Sequence, residues 1–84
     1  MTQQPVTTAS LRAMKQRGEP IACLTCYDAA FCRVLEGAGV DLLLIGDSLG
    51  MVVQGQATTV PVRLDDMVYH SACVSRVARR ALVV

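Results

Sequence analysis

The chain is 84 residues long, 52% hydrophobic and 18% charged, with a formal net charge of +1 and a mean hydropathy of +0.41. A charge so near zero gives no attraction to nucleic acid or to an anionic membrane. No apolar run approaches the ~18 residues of a membrane span, and the opening MTQQP lacks the basic segment and apolar core of a signal peptide, so the expected compartment is the cytoplasm.

In chain order, residues 1–7 read as a polar, mobile arm with no packing signal. Thr8 or Ser10 is placed to cap a short helix over residues 9–17, with Leu11 and Met14 on one side and Gly18 as its stop. A strand over 21–25 follows Pro20. Asp28 suits the N-cap of a second helix over 29–36, with Phe31, Val34, Leu35 and Ala38 at helical spacing before Gly37 and Gly39 end it. The run DLLLI, residues 41–45, is nearly continuous in branched apolar side chains, the pattern of a parallel strand covered by helices on both faces. Residues 51–60 read as a loop with room for one helical turn. A third helix over 64–79 shows Met67, Ala72, Val74 and Ala78 on one side, Asp65 and Asp66 in its first turn, and Arg76, Arg79 and Arg80 late, as the helix dipole favours. Residues 81–84 open a third strand. The alternation of strand and helix predicts a parallel α/β fold, of which about three strands and three helices are expected here. A (β/α)8 barrel takes about 250 residues, so the chain has the length of roughly its first third.

The junction after the second strand points to chemistry. Ligands of α/β sheets and barrels sit beyond the carboxyl ends of the strands, where Gly46-Asp47-Ser48-Leu49-Gly50 places a carboxylate, a hydroxyl and two glycines able to let the backbone turn sharply. Without other context, an aspartate after a strand is more often a turn former or cap than a ligand. Tyr27 is expected to pack at the end of the first strand, with the mouth of a site as its other option. His70, in the middle of a helix, is expected to be structural. Asp65 and Asp66 are helix-start acids rather than a catalytic pair, because adjacent helical positions do not share a face. The methionines are expected to pack.

The four cysteines, Cys23, Cys26, Cys32 and Cys73, read as buried, inert thiols. The CxxC at Cys23 and Cys26 falls at a strand, not at the helix N-terminus that would acidify a redox thiol, and no second close pair completes a zinc site.

The stretches LTCYDA (24–29), AGVD (38–41), GDSLGMVVQG (46–55), TTVPV (58–62) and DDMVYH (65–70) together resemble the ketopantoate hydroxymethyltransferase family, over residues 11–84. The resemblance reverses the odds on Asp47. It implies a (β/α)8 barrel that binds Mg²⁺ and transfers a one-carbon unit from 5,10-methylenetetrahydrofolate to 3-methyl-2-oxobutanoate, giving 2-dehydropantoate for pantothenate biosynthesis. It further implies that Asp47 is a metal ligand, and that Asp47 and Ser48 meet the 2-oxo acid. The chemistry agrees: Mg²⁺ is typically held by one or two carboxylates with substrate and water, and as a Lewis acid it stabilises an enolate.

The family's further acidic ligands, its lysine and its general-base glutamate are expected beyond residue 84, so no catalytic base is assigned here and the 84-residue chain is expected to be inactive alone. Gln56, Ala57 and Arg63 depart from the family pattern, the last where a small hydroxyl residue often caps a helix. The full-length protein is expected to be a homo-oligomer. Alternatives are a non-catalytic remnant or interaction piece, and a Mg²⁺-enolate lyase of the phosphoenolpyruvate mutase or isocitrate lyase type. The GDSLGM stretch favours the hydroxymethyltransferase.

Overall fold

The computed structural model describes residues 4–84. Its elements are α1 (Thr8–Gln16), β1 (Cys23–Thr25), α2 (Ala29–Gly37), β2 (Leu42–Leu44), α3 (Leu49–Val52), α4 (Leu64–Val77) and β3 (Leu82–Val83). The three strands form one parallel sheet in the order β1-β2-β3, with Leu24 opposite Leu43 and Leu43 opposite Val83. This is the expected parallel α/β arrangement with one helix more than expected. The extra helix is α3, whose single turn starts directly after Ser48 rather than within residues 51–60. No described helix is long and apolar enough to cross a membrane.

Local chemistry explains the helix ends. Thr7, in extended conformation, accepts from the Ser10 N–H at 3.1 Å while Ser10 Oγ accepts from the Thr7 N–H at 2.8 Å, so the cap of α1 is Thr7 rather than Thr8 or Ser10. Gly39, at φ +86°, closes α2: its N–H reaches Glu36 O and the next N–H, of Val40, reaches Leu35 O, satisfying carbonyls that the helix leaves open. Asp28 caps α2 as expected, with Oδ1 accepting from the Phe31 N–H at 2.8 Å. Arg63 lacks a capping oxygen. Asp66 compensates by accepting from the Arg63 N–H at 2.9 Å, and this bond, with a second from the Gln54 side chain, holds the Asp66 carboxyl below its usual range.

The expected arm needs correction at its inner end. Val6 is buried and its N–H donates to Arg80 O at 2.7 Å, tying the segment to the turn before β3. Residues 1–3 of that arm lie outside the described residues.

The core joins Leu43 and Ile45 of the β2 segment to Cys26, Cys32, Val40, Leu49 and Val74, all buried, on the side where α2 and α4 pack. Alternate strand residues face opposite ways, so Leu42 and Leu44 point to the other face. There Leu44 is 38% exposed. Helices over both faces were expected; the described ones cover one. The expected face of α2 is also wrong in part, since Phe31 and Val34 are exposed and Cys32 is the buried residue. A small side chain at 32 lets α4 approach, and Cys32 Sγ lies 3.7 Å from Val74 O.

Two carboxylates latch the amino end of the sheet. Asp41, 6% exposed, accepts from the Ala22 N–H at 3.0 Å and from Arg80 Nη2 at 2.6 Å. Glu36 accepts from the backbone N–H groups of Arg79, Arg80 and Ala81 at 2.9, 3.2 and 3.1 Å. Arg79 and Arg80 therefore lie past the end of α4 and do not complement its dipole as expected. Arg80 is instead the partner of a buried acid.

Candidate active site

The carboxyl ends of the strands bring three short segments side by side. Cys26 and Tyr27 follow β1, Ile45 to Ser48 follow β2, and Val84 follows β3. Ladder hydrogen bonds hold them together, from the Cys26 N–H to Leu44 O at 3.0 Å and from the Ile45 N–H to Val84 O at 2.8 Å. Asp47 and Ser48 lie on this rim, the position the sequence predicts for them.

Asp47 is exposed. Neither ion pair among the described residues involves it, since these join Arg17 to Glu19 and Arg80 to Asp41. Its backbone carbonyl accepts from the Gly50 N–H at 3.0 Å as the chain wraps into α3. Neither Gly46 nor Gly50 takes a positive φ, so the sharp turn expected of them is made in ordinary conformations. Gly50 matters for a different reason: a Cβ there would collide with Cγ2 of Val62 unless that side chain moved.

Ser48 occupies the N-cap position of α3, yet its side chain makes no cap bond. Its Oγ is hydrogen-bonded to the phenol of Tyr27. Tyr27 is anchored in turn, because its carbonyl accepts from His70 Nδ1 at 2.7 Å. A carbonyl can only accept, so Nδ1 carries the proton and, in the neutral ring, Nε2 is left as the acceptor. His70 thus has the structural role expected of it, and Tyr27 stands at the rim of the site. Tyr27, expected to pack at the strand end with the site mouth as its other option, does both: it packs on the core and its phenol reaches Ser48.

Beside Tyr27 is a cavity of about 200 Å³ lined by Thr25, Cys26, Tyr27, Phe31 and Val52. Cys26 and Cys32 are buried free thiols, and burial pushes the Cys32 thiol up to about 11, so neither is a thiolate nucleophile at neutral pH. Cys23, expected to be buried, is exposed on the uncovered sheet face. Among the described residues no three His, Cys, Asp or Glu side chains gather as a metal cluster.

The sequence profile described as ketopantoate hydroxymethyltransferase matches residues 5–84. The chain belongs to the ketopantoate hydroxymethyltransferase family. It is 67% identical, over 94% of its length, to the 3-methyl-2-oxobutanoate hydroxymethyltransferase of Halorhodospira halophila, and 59% identical over 95% of its length to that of Thiobacillus denitrificans. A Burkholderia multivorans protein of the same name is 63% identical over 94%. These matches cover 29%, 30% and 29% of the relatives' own lengths, so the chain spans less than a third of each of these family members.

Proposed function

We propose that this chain supplies the metal- and oxo-acid-binding rim of a Mg²⁺-dependent hydroxymethyltransferase. The reaction transfers the one-carbon unit of 5,10-methylenetetrahydrofolate to 3-methyl-2-oxobutanoate, giving 2-dehydropantoate. The observation that carries the reading is Asp47, an exposed carboxylate outside both ion pairs found among the described residues, just past the end of β2 and beside Ser48. A single hard oxygen donor fits Mg²⁺, which takes one or two carboxylates from a protein and the remainder of its shell from substrate and water. The chemistry that a bound Mg²⁺ supplies is Lewis-acid polarisation of the keto oxygen. Asp47 contributes one ligand. Ser48 offers a hydroxyl to the substrate carboxylate. The base that removes the proton beside the carbonyl comes from outside these 84 residues in this reading.

The barrel reading has support of its own. Leu42, Leu44 and Leu82 present branched apolar side chains to the uncovered sheet face, the composition of the packed interior of a (β/α)8 barrel. With a homo-oligomeric assembly and a cytoplasmic location, these form one proposal about the full-length protein.

A chimera in which residues 5–84 replace the matching segment of the Halorhodospira halophila enzyme tests it. With Mg²⁺, the folate and the oxo acid, the chimera is expected to form 2-dehydropantoate within about tenfold of the parent's kcat/KM. Asp47→Ala is expected to lower kcat/KM by at least ~10²-fold. A folded chimera without turnover, or an Asp47→Ala variant with full activity, would overturn the reading.

A further inference from the structure

Ser48 has a hydroxyl that its own helix does not use. The residue sits at the N-cap of α3 in helical rather than extended conformation, φ −56° and ψ −17°, and makes no side-chain cap bond. Its Oγ is engaged instead by Tyr27, 21 positions earlier. The tyrosine is held at both ends: its carbonyl accepts from His70 Nδ1 on α4, and its side chain packs against the buried cluster that contains Leu49, the neighbour of Ser48. Such anchoring fixes the phenol oxygen relative to the strand ends.

We propose that Tyr27 is a positioning residue whose phenol donates to Ser48 Oγ and so aims the Ser48 proton at the carboxylate of the 2-oxo acid. This rests on the proposed function above. The direction of the bond follows from chemistry. A phenol is the more acidic of the two hydroxyls, and a serine oxygen that accepts one hydrogen bond retains its own proton to give. A carboxylate only accepts, so phenol, serine and carboxylate form a chain in which each bond polarises the next. Without the phenol, the serine hydroxyl is free to rotate and can turn its proton to water or to a nearby carbonyl.

The test uses the chimera, its Tyr27→Phe, Ser48→Ala and double variants, and direct calorimetric binding of 3-methyl-2-oxobutanoate with Mg²⁺, alongside steady-state kinetics. Tyr27→Phe removes one oxygen and keeps the ring, so thermal melting should match the parent. It is expected to raise the Kd and KM of the oxo acid about fivefold to tenfold and to leave kcat within about twofold, because the bond serves bound substrate and transition state alike. The double variant is expected to bind no more weakly than Ser48→Ala, since the two residues act as one unit. 3-Fluorotyrosine at position 27, which keeps ring and hydroxyl, should retain the parent's Kd. An unchanged Kd in Tyr27→Phe, or effects that multiply in the double variant, would sink this proposal while leaving the functional reading intact. A folded chimera that neither binds the oxo acid nor turns over would overturn both.

Discussion

Two aspartates near opposite ends of the β2 segment have opposite fates. Asp47, at the carboxyl end, is exposed and outside both ion pairs found among the described residues; Asp41, at the amino end, is buried and bonded to the Ala22 N–H and the Arg80 guanidinium. Those two partners, the backbone N–H first, hold the Asp41 carboxyl below its ordinary value of 3.8. Because its folded pKa is lowered, its contribution to stability is complete above that ordinary value and is lost as pH falls through the folded pKa. Asp41→Ala leaves the Ala22 N–H and Arg80 Nη2 without their acceptor, while Arg80 Nη1 keeps the Gly39 and Val40 carbonyls, and is expected to cost about 1–3 kcal/mol at neutral pH. Urea midpoints of the chimera and this variant should therefore differ at neutral pH and converge under acid, below about pH 4. The cap at Asp28 and the place of Asp47 past a strand end were legible in the sequence because a cap acts within three residues and a strand end announces itself locally. The roles of Asp41, Glu36 and Arg80 were not, since their partners lie about forty positions away along the chain.

At the scale of elements, α3 shows how a four-residue helix is placed by packing more than by propensity. Its Gly50 is buried, and an added Cβ would drive into Val62, a half-buried side chain that packs on the core. Gly50→Ala favours helix intrinsically, yet here overpacking is expected to dominate and to cost about 1–3 kcal/mol. Since α3 begins directly after Ser48, the oxo-acid KM of the chimera should rise as its melting temperature falls. A variant that melts higher than the parent would show that Val62 yields freely. Helix existence and the glycine stops were readable from periodicity and φ-permissive residues. The buried face of α2 was not. Phe31 and Val34 have helical spacing, but the neighbouring helix selects small Cys32 as its contact, and spacing alone cannot say which stripe a partner will cover.

For the whole molecule, the decisive property is a sheet covered on one side. Leu44, on the uncovered face, is 38% exposed; Leu24, on the edge strand and on the same side as Leu43, is 50% exposed; and Val60, Leu64 and Val84 add further apolar surface. An 84-residue chain with this distribution buries too little to offset its conformational entropy comfortably. Isolated, it is expected to bind a hydrophobic dye and to melt without a cooperative transition, whereas the chimera melts cooperatively. A sharp, reversible transition of the isolated chain as a soluble monomer would contradict this.

The alternation of the three strands with α1, α2 and α4, the caps at Asp28 and Gly39, and the placement of Asp47 and Ser48 at a strand end follow from the sequence alone, because each depends on residues within a turn or two of one another. Tertiary structure alone decided that Tyr27 reaches Ser48, that His70 anchors Tyr27 from α4, and that Arg80 closes on Asp41. Those pairings join groups brought together only when the strands lie parallel and the helices cross them, and no local periodicity encodes which distant donor will meet which acceptor.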